Sequence, residues 1–110
     1  MNVQLTDEVF EMIMDERRKW LKMKLESERI YNLIGFTVAH CLSENPDVKP
    51  SCLAVVRSEM TKQDKLFARM AKIEGKVEAL TGLDMDQPDF LEQLRGEYHR
   101  QNYPVDALDD

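Results

Sequence analysis

The sequence predicts an all-α protein, a long antiparallel helical hairpin of coiled-coil type followed by a short third helix. Three observations point there. Only four Gly and four Pro interrupt 110 residues, a third of which are charged and 43% apolar, a balance typical of helical proteins rather than sandwiches or disordered chains. Apolar residues recur at steps of three and four instead of two. Turn-forming residues gather in two places, residues 44–50 and the stretch after Thr81. At this length the default is a single domain with a modest core.

The first helix begins at Thr6, whose hydroxyl can accept a bond from an orphan amide, with Asp7 and Glu8 opposing the positive end of the helix dipole. Nothing breaks it before residue 44, so it spans 6–43, about 57 Å at 1.5 Å per residue, with Gly35 as a point of bending. Ser51, after Pro50, is the expected cap of a second helix that runs to Thr81 and stops at Gly82. Asp86 is the expected cap of the third, with Pro88 in its first turn and an apolar set of Phe90, Leu91, Leu94 and Tyr98. The tail from Asn102 is expected to fray. The chain thus divides into a hairpin, 1–83, and a short acidic helix with a mobile tail, 84–110, within one domain.

On the second helix Leu66, Met70, Ile73, Val77 and Leu80 recur at four, three, four and three, the seam positions of a coiled coil. The first helix answers with Ile13, Trp20, Ser27, Ile34 and Cys41, seven apart, and with Met23 and Ile30 between them. Antiparallel pairing to a residue sum near 94 sets Ile13 on Leu80, Trp20 on Ile73 and Met23 on Met70. It also sets Ile34 on Met60, Val38 on Val56 and Cys41 on Leu53. Across the flanks Glu26 falls near Arg69 and Arg17 near Glu74, exposed pairs that set register more than stability. The basic ladder of Lys62, Lys65, Arg69, Lys72 and Lys76 lies one step round from the seam, where charges ordinarily border packed apolar residues.

Leu33, Phe36 and Leu42 point away from this seam. Two helices make a poor core and two hairpins make a four-helix bundle, so a homodimer built on these residues is expected. The third helix, through Phe90, Leu94 and Tyr98, is the expected site for a further, unidentified protein. Net charge is −6, and it is unevenly spread. Residues 1–83 carry thirteen acidic and thirteen basic side chains, whereas 84–110 carry eight acidic residues against Arg95 and Arg100.

Catalytic and metal motifs are weak. Structural zinc takes four ligands at set spacing, and His40, Cys41 and Cys52 supply three without a CxxC pair. The Glu8–Glu11 pair resembles one half of the paired acidic sites of all-α nucleotide pyrophosphohydrolases, but its counterpart, Glu44 to Asp47, is broken by Pro46 and lies at the other end of the helix. His99 has no nucleophile near it in sequence, and phosphate loops and nucleophile elbows are absent.

The expected function is therefore that of a non-enzymatic, cofactor-free helical interaction module: an adaptor, chaperone or inhibitor-like regulator of the small phage or plasmid type, acting as a homodimer. The alternative is a nucleic-acid-binding regulator that uses Arg17, Arg18, Lys65, Arg69 and Lys72. It is the weaker reading, because Trp20, which would stack a base, falls in the seam. With no basic-then-apolar leader and no apolar run of about 20 residues, the chain is expected in the cytoplasm and not in a membrane.

Overall fold

The computed structural model describes residues 3–43 and 49–103. These form three helices, α1 (Asp7–Ser43), α2 (Lys49–Thr81) and α3 (Phe90–Asn102), with no strand among the described residues. Among the described residues no helix is long and apolar enough to cross a membrane. The expected fraying beyond Asn102 and the acidic loop at 44–47 lie outside the described residues, apart from Tyr103. Two compact units divide the chain: the first comprises residues 1–19 and 71–110, the second residues 20–70.

In the first unit, Thr6 caps α1 by accepting the Val9 N–H at 3.2 Å, the role its hydroxyl predicts. At the other boundary Gly82 takes φ +72° and donates its N–H to the Glu78 carbonyl at 2.7 Å. That left-handed turn ends α2, and glycine accepts it without the Cβ clash other residues meet. The third helix starts three residues later than expected, with its cap at Asp89 in place of Asp86. The Asp84 carboxylate accepts the Asp86 N–H at 2.9 Å, and the Gln87 N–H reaches the Asp84 carbonyl at 3.2 Å. Asp84 thus closes a local turn in which Asp86 is a donor rather than a cap, and Pro88 falls in the connection. Aspartate commonly competes with helix in this way. The cap position belongs to Asp89, whose carbonyl receives the Gln93 N–H at 3.0 Å.

α3 packs on the start of α1 and the end of α2. Leu5, Ile13, Ile73, Val77, Met85, Phe90 and Leu94 are buried, joined by Thr81, whose hydroxyl donates to the Val77 carbonyl at 2.7 Å. The rings of Phe10 and Tyr98 stack with centroids 4.5 Å apart. Side chains near the end of α3 also grip the backbone entering α1: the Leu5 N–H donates to Gln101 Oε1 at 2.6 Å, and Asn102 Nδ2 donates to the Leu5 carbonyl at 2.8 Å. One peptide strand is thereby satisfied by an amide pair in place of a second strand. Between α1 and α2, Lys76 Nζ stands 3.7 Å from the Glu16 carboxylate.

In the second unit α1 and α2 pack on each other. Gln63 Nε2 donates to the Ser27 carbonyl at 3.2 Å, and both residues lie a similar number of residues from the connection at 44–48, which makes the pair antiparallel. Their sum is 90, against the expected 94, an offset that the length of a glutamine side chain can span. The inward positions of α2 here are Cys52, Val56, Glu59, Gln63, Leu66 and Met70, buried or half-buried. The spacing of four and three is the expected one, but its continuation selects different residues. Leu53 and Met60, expected in the seam, are 44% and 51% exposed, and Val38 is exposed as well. Glu26 does not await Arg69; Arg29 on its own helix holds it through two bonds, Nη2 at 2.6 Å and Nε at 3.0 Å, and keeps its carboxyl below the usual range. At the start of α2, Ser51 lies inside the helix and Pro50 occupies the first turn, where a missing N–H costs nothing.

Two predictions follow from the first unit. Ile73→Ala, at a site 8% exposed, is expected to lower unfolding free energy by about 2–5 kcal/mol in denaturant titration; a loss below about 0.5 kcal/mol would contradict its burial. Tyr98 donates its hydroxyl to the Asp7 carboxylate, and this bond, reinforced by burial, pushes its phenol from the ordinary 10.0 up to about 12. Its contribution to stability is complete below pH 10 and is lost as pH rises toward 12. Following phenolate absorbance on titration should show one of the three tyrosines ionising late, and that late step should be missing in Tyr98→Phe.

Candidate protein-interaction surface

Nine large apolar side chains are exposed among the described residues, and eight of them belong to the second unit: Leu25, Tyr31, Phe36, Val38, Leu53, Val55, Met60 and Phe67. The ninth is Tyr103. In the first unit a third helix takes up the apolar surface of the other two, whereas in the second unit α1 and α2 have only each other.

The exposed residues do not scatter evenly. A groove of about 420 Å³ between α1 and α2 is lined by Ser27, Glu28, Tyr31, Asn32, Gln63 and Phe67. A second hollow of about 340 Å³ on α1 is lined by Tyr31, Asn32, Gly35, Phe36 and Ala39. Tyr31 and Asn32 belong to both, so groove and hollow form one continuous face. Met60 lies three residues before Gln63 and seven before Phe67, the spacing that puts it on the same side of α2. Tyr31 is 71% exposed, Phe36 74% and Phe67 48%.

Beneath this face the unit has a polar seam. Ser27 and Glu59 are buried, and Gln63 bridges the helices as described. Lys62 Nζ meets Glu59 Oε1 at 2.9 Å, while Oε2 is buried with no hydrogen-bond partner. A buried carboxylate with one oxygen unsatisfied costs free energy that an apolar side chain in its place would not. The helix itself is also locally softened: Ser27 and Thr37 donate their hydroxyls to carbonyls one turn back, at 2.8 Å each, a habit that bends helices.

The expected interaction residues fall apart in space. Phe36 is on the apolar face, and Leu33 is half-buried. Leu42 belongs to α1, but its side chain lies outside the described residues. Phe90 and Leu94 are 2% and 0% exposed, buried within the first unit, so they are closed to a partner on the folded chain. Tyr98 is half-buried against Phe10 and Asp7. These three residues serve the core because α3 has one apolar stripe and spends it on α1 and α2. Tyr31 and Phe67, missed in the sequence reading, become visible only once the register brings them to the same groove.

The basic residues of the alternative reading divide between the units, Lys65 and Arg69 in the second and Arg17, Arg18 and Lys72 in the first. Arg18 is held by Asp15, and Arg17 is half-buried. Of the two cysteines, Cys52 is buried and Cys41 half-buried. No cluster of three or more His, Cys, Asp or Glu among the described residues is arranged to hold a metal ion.

Glu59→Met is expected to raise the stability of the fold by roughly 1–2 kcal/mol, read as a higher midpoint in denaturant. A lowered midpoint would mean that both Glu59 oxygens are satisfied in solution.

No protein family, curated protein or solved structure was found to match the chain.

Proposed function

We propose that this chain is a helical interaction module that acts by binding other protein chains, as a homodimer engaging a further protein, and carries out no chemistry of its own. The observation that carries this reading is the confinement of eight of the nine exposed large apolar side chains to residues 20–70. Single exposed apolar residues are ordinary on any surface, but a continuous apolar face marks a place where another chain packs. Three aromatic rings on that face fit the reading, because such rings dominate the energetics of protein interfaces. Small helical regulators such as adaptors, chaperones and inhibitors work in this way, by occluding or bridging partners instead of turning over a substrate. The outer side of α3 offers a second, polar contact region, with Glu92, Gln93, Arg95 and Arg100 exposed.

Capture of binding proteins from a lysate of the source organism tests the reading. The wild-type chain is expected to retain a reproducible set of proteins that a Tyr31→Ser, Phe67→Ser double variant loses. Equal retention by wild type and variant, or retention of nothing by either, would overturn it.

A further inference from the structure

The chain has two cysteines, Cys41 and Cys52, and both belong to residues 20–70. α1 ends at Ser43 and α2 begins at Lys49, so each cysteine lies within one turn of the connection that reverses the chain. Each also lies on the inward side of its helix. Counted away from the connection, the buried and half-buried positions of α1 include Cys41, Thr37, Ile34, Ile30 and Ser27, at steps of four, three, four and three. Those of α2 include Cys52, Val56, Glu59, Gln63 and Leu66, at the same steps.

In an antiparallel pair these two series run side by side, and they match member for member, each pair of residue numbers summing to 93. The Gln63 bond to the Ser27 carbonyl agrees with this pairing, because a helix carbonyl projects toward the next turn, where Ile30 stands. Cys41 and Cys52 thus face each other at the last level before the connection. Packed helix axes stand about 8–10 Å apart and each Cα lies about 2.3 Å from its axis. Inward Cα atoms at one level therefore approach to about 4–7 Å, the range a disulfide spans.

We propose that Cys41 and Cys52 are a redox-sensitive pair: a small-molecule disulfide of the glutathione type oxidises them to an intramolecular disulfide that clamps α1 to α2 beside the connection, and small thiols reverse it. Cys41 is the more accessible of the two and reacts first. Its thiolate attacks one sulfur of the small disulfide, forming a mixed disulfide and expelling one small thiolate. The Cys52 thiolate then attacks the Cys41 sulfur and expels the second. The two protein thiols lose two electrons and two protons in all, and two small thiols carry them away. The clamp joins the helices where their seam needs support, two levels from Glu59, whose Oε2 is buried without a hydrogen-bond partner. It operates whatever covers the apolar face.

The test equilibrates the full chain, at low micromolar concentration, with reduced and oxidised glutathione at graded ratios, then quenches with acid and reads the species by mass spectrometry. The folded chain is expected to lose two hydrogens without gaining glutathione, and digestion is expected to leave Cys41 and Cys52 joined. Cysteines this close in sequence also pair in an unfolded chain, so the same titration in urea supplies the reference. A fold that brings the thiols together raises the effective concentration of one at the other, by linkage, and the expected gain over urea is roughly 10-fold or more. A variant combining Cys52→Ser with Leu53→Cys moves one thiol to an exposed position, and there the gain is expected to vanish. An effective concentration no higher in the folded wild type than in urea would overturn the proposal. So would a predominance of glutathione adducts or intermolecular disulfides, or undiminished pairing in the double variant.

Discussion

Two packed helices can bury one stripe each and no more, and this constraint governs the whole chain. In residues 1–19 and 71–110 a third helix relieves it: Phe90 and Leu94 are buried, as are Ile13, Ile73 and Val77 in the same unit. Residues 20–70 have no such cover. Their surplus of exposed rings and aliphatic side chains follows directly, as does the expectation that another chain supplies the missing layer.

Within residues 20–70 the contact between α1 and α2 is itself not a dry apolar seam. Ser27, Glu59 and Gln63 occupy inward positions, and they contribute bonds with direction in place of additional apolar area. The Gln63 bond to the Ser27 carbonyl adds a directional contact between α1 and α2. Buried polar groups at such positions specify pairing at a cost in stability. A unit with a weakened internal seam and an uncovered outer face depends on its neighbours more than the three-helix unit does.

Much of this was legible in the sequence, for reasons that can be named. Thr6 and Gly82 mark helix ends by local chemistry alone, and the step of four and three along Leu66, Met70, Ile73 and Val77 identifies the inward side of α2 without reference to α1. The errors arose where local rules compete. Asp86 had the chemistry of a cap, but the chain turns over Asp84 to Gln87 and α3 starts only after Asp89. Pairing to a sum near 94 with Ile34 and Cys41 chose Met60 and Leu53, whereas continuation of the step along α2 itself chooses Glu59 and Cys52, which are buried. For α3, Phe90 and Leu94 were read as a surface for partners because the sequence shows an apolar stripe without showing what it packs against. Gln101 and Asn102 gave no signal, since their grip on Leu5 joins residues more than 90 positions apart.

Hydrogen exchange measured at several protein concentrations tests most directly the claim that residues 20–70 need another chain for cover. Amides of α1 around Ile30 to Ala39 and of α2 around Val56 to Phe67 should gain protection as concentration rises, while those of α3 and its contacts stay unchanged. Protection that is independent of concentration throughout the chain, and as strong in residues 20–70 as in α3, would contradict the account.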